Sequence, residues 1–97
     1  MPCKKREFHK AATKKGFIEA RKGDHIFYWF TDTEGKRYTR IHTKISHGGS
    51  GDISDNLLSK MYKEMKFDSV GDLKQYIECS LNEKMYREQL RAKEFQV

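Results

Sequence analysis

Four histidines, His9, His25, His42 and His47, all fall in the first half of a 97-residue chain, and that half also carries 12 of its 20 Lys/Arg. An imidazole free in solution titrates near pH ~6.5, which makes histidine the usual side chain for moving a proton at neutral pH. His25 has the most suggestive neighbours. It opens the run "HIFYWFT" directly after Gly23-Asp24, and "RYTRIHTKI" further on sets Tyr38, Arg40, His42 and Lys44 at alternating positions. A histidine among cations and aromatic rings suits three tasks: moving a proton at a phosphate ester, contacting nucleic acid, or packing. Cleaving RNA needs little more than a base for the 2′-hydroxyl and positive charge around the phosphorane, which makes His25 the candidate catalyst. The plain alternative is a surface or packing histidine, and Asp24, on the opposite strand face, is no obvious orienting partner.

Other chemistries find less support. His42, His47 and Asp52 lie near one another in the chain, yet no cysteine or tight carboxylate spacing completes a metal site, so no metal and no other cofactor is expected. Cys3 is near the terminus and Cys79 falls in a helical pattern, and neither belongs to a CxxC spacing. The glycines of "SHGGSGD" precede a helix, but the lysine and serine of a nucleotide P-loop are missing, leaving a loop able to touch a phosphate.

Charge narrows the choice of partner. Residues 1–47 hold only 5 of the 14 Asp/Glu, so the formal net charge of +6 is concentrated in the half that carries the histidines. Such asymmetry points to an anionic partner on one face, with nucleic acid the first candidate. Hydrophobic residues make up 36% and charged residues 35%, but the 12% aromatic content is what disordered chains lack, so one folded domain is expected. No apolar run approaches the ~18–20 residues of a membrane span, and "MPCKKREFHK" has no apolar signal stretch. These features and the sparse cysteines suggest a cytoplasmic protein.

The elements that must position these side chains follow from periodicity. Phe8, Ala11 and Ala12 at i, i+3 and i+4 predict a short basic helix that Gly16 ends. "GFIEAR" and "DHIFYWFT" read as strands joined across Lys22-Gly23, and the polar turn "DTEGK" leads into "RYTRIHTKI". Strict alternation in this last strand sets Tyr38, Arg40, His42 and Lys44 on a wet face and Thr39, Ile41, Thr43 and Ile45 on a dry one. Ile53, Leu57, Leu58, Met61, Tyr62 and Met65 form the apolar stripe of a second helix with Asp52 as its N-cap. Ser69 and Asp72 open a third, with Leu73, Tyr76, Ile77 and Leu81 inward. The tail fits one long helix or two short ones.

Burying Ile26, Tyr28 and Phe30 turns His25, Phe27 and Trp29 outward beside Tyr38, Arg40 and His42, a surface suited to the bases and phosphates of single-stranded RNA. The alternative is that the C-terminal helices or a partner protein cover those rings.

Taken in order, "KKGFIEARKGDHIFYWF", "GKRYTRIHTK" and "SHGGSGDISDNLLSKMYKEMKF" resemble the HicA (YcfA-like) family of toxins, over roughly residues 4–67. Gly16-Phe17 matches the family's helix end, Gly23-Asp24-His25 its strand opening, and His47-Gly48 its loop before the leucine-spaced helix. The resemblance implies an α+β fold like a double-stranded-RNA-binding domain, α-β-β-β-α with a three-stranded antiparallel sheet. Residues 1–67 would form this core, and residues 68–97 a C-terminal helical extension packed on or extending the same domain. It further implies a metal-independent mRNA interferase of a type II toxin–antitoxin system, with His25 as catalyst and a HicB-type antitoxin as protein partner. On this reading Lys22, Arg37, Arg40 and Lys44 hold phosphates, Trp29 and Tyr38 stack on bases, and His42 and His47 line the same path. Two other readings use the same fold: a non-catalytic RNA-binding module, or a protein-interaction domain whose aromatic face or C-terminal helices form a homodimer.

Overall fold

Phe8, Ala11 and Ala12 are buried along one side of helix α1 (Lys5–Lys14), which ends at Gly16 with φ +106°. An alanine Cβ at Gly16 would meet the Phe30 ring at 2.8 Å, so both the backbone and the space require glycine there. In this computed structural model, residues 3–46, 51–78 and 81–97 are described. The expectations placed on His47, the Gly48-Gly49 loop and Cys79 lie outside the described residues.

Strands β2 (Phe17–Lys22), β3 (His25–Thr31) and β4 (Arg37–Ser46) form an antiparallel sheet in the order β2-β3-β4. Two residues, Gly23 at φ +60° and Asp24, join β2 to β3, so the register is set directly as Lys22 opposite His25 and Ile18 opposite Trp29. The β3–β4 turn is held by Asp32, whose carboxylate accepts from the amides of Glu34 (2.9 Å) and Lys36 (3.0 Å). Tyr28, Phe30, Ile41, Thr43 and Ile45 are buried on one face of the sheet. Among the described residues four helices, α1, α2 (Asp55–Glu64), α3 (Val70–Ile77) and α4 (Glu83–Ala92), complete an α+β fold.

Three expectations are corrected. Asp52 does not cap α2: Ser54 does, accepting from the Leu57 amide at 3.2 Å, while Asp52–Ile53 form the short strand β5 paired with β1 (Cys3–Lys4). Ile53 is therefore buried from a strand rather than from a helical stripe. Leu81 is buried too, but beyond the end of α3, and the tail is two short helices whose caps are Ser69 and Asn82. Third, the alternation of β4 breaks. Trp29 pairs with His42 but Phe30 pairs with Tyr38, so Thr39, Arg40 and Ile41 bulge between them and Tyr38 falls on the face of buried Phe30.

The core is continuous from α1 to the tail. Tyr86 of α4 packs on Phe17, Phe30, Phe67 and Tyr76 with ring centroids 4.7–6.2 Å apart. Lys15, at the end of the basic helix α1, is buried. Its ammonium donates to the carbonyls of Tyr76 (2.6 Å) and Leu81 (2.9 Å), tying the first helix to the α3–α4 connection.

Burial also raises the phenol pKa of Tyr76 and Tyr86 well above 10.0 and pushes Tyr28 up to about 12. The folded state holds these protons more tightly than the unfolded chain, so the stability they contribute is present below about pH 10 and lost as the pH climbs through 12. Thermal melts should hold their midpoint up to about pH 10 and fall steeply above it, with tyrosinate absorbance from the three buried rings rising together with unfolding. Ionisation of all the tyrosines on the folded protein at about pH 10 would show that these rings are not buried.

Candidate nucleic-acid interface

The sheet face opposite the core is built by cross-strand rows, because residues paired across an antiparallel sheet project to the same side. One row is Ile18, Trp29 and His42; the next is Ala20, Phe27 and Lys44; the third is Lys22, His25 and Ser46. Ile18 is 41% exposed, Lys22, His25, His42, Lys44 and Ser46 are exposed, and Phe27 and Trp29 are partly so. The two-residue turn fixes this arrangement: a one-residue slip would turn the rings inward and Tyr28 and Phe30 out.

The rings form a connected strip. Phe27 and Trp29 lie 6.1 Å apart and nearly parallel, and His42 stacks on Trp29 at 4.7 Å. The His42 Nδ1 donates to the Thr39 carbonyl at 3.2 Å, and because a carbonyl only accepts, Nδ1 carries the proton in that bond. The bulge that displaced Tyr38 thus orients the imidazole. Arg37 rests its guanidinium 5.1 Å from the Trp29 ring, and the Lys44 ammonium lies 6.0 Å from Phe27. Such contacts are worth only about 0.5–1 kcal/mol at exposed sites, less than the ~1–3 kcal/mol of a base stacking on an aromatic ring. A nucleobase can therefore displace them, and the cations can turn to the phosphates on either side.

His25 stands at the far end of this strip, its ring 6.4 Å from Phe27 and its backbone opposite Lys22. Of the residues named from the sequence, Lys22, His25, Trp29, Arg37, His42 and Lys44 come together on this face. Tyr38 and Arg40 do not. Tyr38 packs against Phe95, accepts a hydrogen bond from the Gln96 amide (3.2 Å), and is half-buried, while Arg40 lies 5.1 Å from the Phe95 ring. The C-terminal residues occupy that end of β4 and leave the Trp29 strip open.

Ile18 and Ala20, which complete the apolar centre of the face, were missed in the sequence although the two-residue turn at Gly23-Asp24 already implies their pairing with Trp29 and Phe27. Burial first and the charge of Glu7 second push the Cys3 thiol pKa up, away from the thiolate that nucleophilic chemistry needs. Among the described residues no three His, Cys, Asp or Glu side chains cluster as metal ligands, and no helix is long and apolar enough to cross a membrane. The chain matches no family model, no curated protein and no solved structure, so the functional reading rests on this face and on the motifs of the sequence.

Proposed function

We propose that the open sheet face binds single-stranded RNA and that His25 cleaves it without a metal, in the manner of a HicA-type mRNA interferase on a fold like a double-stranded-RNA-binding domain. The observation that carries the reading is the row register: it sets His25 beside Lys22 at one end of the stacked Phe27, Trp29 and His42 strip, with Arg37 and Lys44 along it. The rings offer bases a stacking surface and the cations track the backbone. The His25 imidazole takes the proton of a 2′-hydroxyl, the freed oxygen attacks the adjacent phosphorus, and the bond to the 5′ oxygen breaks. A 2′,3′-cyclic phosphate remains on one fragment, and the departing 5′ oxygen takes a proton from solvent. A HicB-type antitoxin would restrain the protein by covering the same face.

Labelled RNA and its 2′-deoxy counterpart, incubated with the protein in EDTA, test this. The RNA should be cut to fragments ending in cyclic phosphate and the deoxy strand should be bound but stay whole, with affinity falling steeply as salt rises because each neutralised phosphate releases counterions. RNA that is bound yet uncut would sink cleavage and leave an RNA-binding module. An RNA that does not bind at low salt would sink both.

A further inference from the structure

Resting on that reading, we infer that Lys5 is a further residue of the same site, supplying positive charge to the phosphate on which His25 acts. The first residue of α1 comes from the layer behind the sheet, yet its side chain reaches the end of β4. The Lys5 ammonium donates to the Ser46 carbonyl and to the Ser46 hydroxyl, each at 3.1 Å. Ser46 is the direct cross-strand neighbour of His25, and both are exposed. Side chains opposite one another in an antiparallel pair lie about 4.5–5.5 Å apart at Cβ, so the Ser46 hydroxyl that holds Lys5 stands one strand over from the imidazole.

On the other side, Lys22 is the cross-strand neighbour of His25. The histidine is therefore flanked by a cation from β2 and, through Ser46, by a cation from α1. A phosphorane gains negative charge as the 2′ oxygen attacks, and preorganised charge at that point lowers the barrier without waiting for solvent to reorient. The backbone anchors Lys5 from its other end: its amide donates to the Gly51 carbonyl at 2.8 Å, so α1 begins at a fixed point beside β5. Lys4, Lys5 and Arg6 line an open groove of about 590 Å³ with Gly51 and Asp52, three cations against one carboxylate, which gives a strand leaving His25 a net basic way out.

The test compares wild type with Lys5→Met, Lys5→Arg and Ser46→Ala by two readouts, each beside a thermal melt. One is the single-turnover rate on saturating RNA. The other is the salt dependence of binding to a short 2′-O-methyl RNA, which has no 2′ proton and cannot be cut. Lys5→Met should slow cleavage about 10²-fold and reduce the slope of log affinity against log salt by about 0.7, one phosphate of a single strand. Lys5→Arg, which keeps the charge, should restore most of the rate. A lower melting temperature in Lys5→Met and Ser46→Ala with slope and rate unchanged would reduce Lys5 to a brace on β4 and overturn the inference. A fall in slope without loss of rate would put Lys5 on a phosphate other than the scissile one and overturn it equally. If wild type does not cut RNA, the cleavage reading fails by itself, and an unchanged slope on the uncleavable RNA then also removes Lys5 from the phosphate path.

Discussion

His25→Ala should lower single-turnover RNA cleavage by about 10²–10⁴-fold, the range supplied by a positioned general base, while leaving the melting temperature and the RNA affinity close to wild type. The imidazole is exposed at the start of β3, with its ring 6.4 Å from Phe27 at the end of the aromatic strip, so its removal opens no buried cavity. Surface substitutions of this kind usually change stability by less than about 0.5 kcal/mol. On the proposed reading, affinity rests on Trp29, Phe27 and the surrounding cations, which the substitution does not touch. The expected pattern is therefore a loss in rate without a loss in binding, the signature of a group that acts only in the transition state. Undiminished cutting by His25→Ala, purified in the same way, would trace the fragments to another residue or to a contaminating nuclease. A fall in affinity that matches the fall in rate would make His25 a binding residue.

The sheet and the face it exposes could be read from the sequence because local rules govern them. Alternating Ile26, Tyr28 and Phe30 against Phe27 and Trp29 decided which side of β3 faces the helices, and the two-residue turn at Gly23-Asp24 and the polar turn "DTEGK" decided the order of the strands. What could not be read depends on contacts between distant segments. "RYTRIHTKI" alternates without a flaw, so nothing local announces the bulge at residues 39–41; it forms where β4 must meet both Trp29 through His42 and Phe30 through Tyr38. Tyr38 and Arg40 are taken up by Phe95 and Gln96, nearly sixty positions away, a pairing that periodicity does not encode. Nothing in the local sequence sets Lys15 and Lys5 apart from the other cations around α1. The first is buried on the carbonyls of Tyr76 and Leu81, and the second reaches Ser46, because helix packing brings those acceptors to them. Asp52 looked like the N-cap of α2, but β1 pairs with Asp52–Ile53 and holds them extended, which leaves Ser54 as the first residue free to cap.

Tyr86→Ala should destabilise the whole domain, including the aromatic face proposed to bind RNA on the other side of the sheet. Tyr86 is fully buried among Phe17, Phe30, Phe67 and Tyr76, and its hydroxyl donates to the Met65 carbonyl at 2.6 Å. Truncating a buried aromatic ring to alanine costs about 3–5 kcal/mol, and the stranded Met65 carbonyl adds about 1–3 kcal/mol. Against the ~5–15 kcal/mol that separates folded from unfolded domains, this is enough to leave a large unfolded fraction at 37 °C in a chain of 97 residues. Tyr86→Phe keeps every ring contact and loses only the hydroxyl, so its melting temperature should fall by roughly 4–8 °C per kcal/mol lost, a much smaller step. The effect reaches the other face through α4. Arg87, next to Tyr86, donates to the Thr31 carbonyl (2.9 Å) and hydroxyl (3.1 Å), and Thr31 is the strand neighbour of Arg37, the cation resting on Trp29. Loosening α4 therefore loosens the end of β3 that carries the aromatic strip. Circular dichroism melts and RNA affinity should fall together in Tyr86→Ala and separate in His25→Ala. A Tyr86→Ala protein that melts like wild type would show that α4 contributes little to the core.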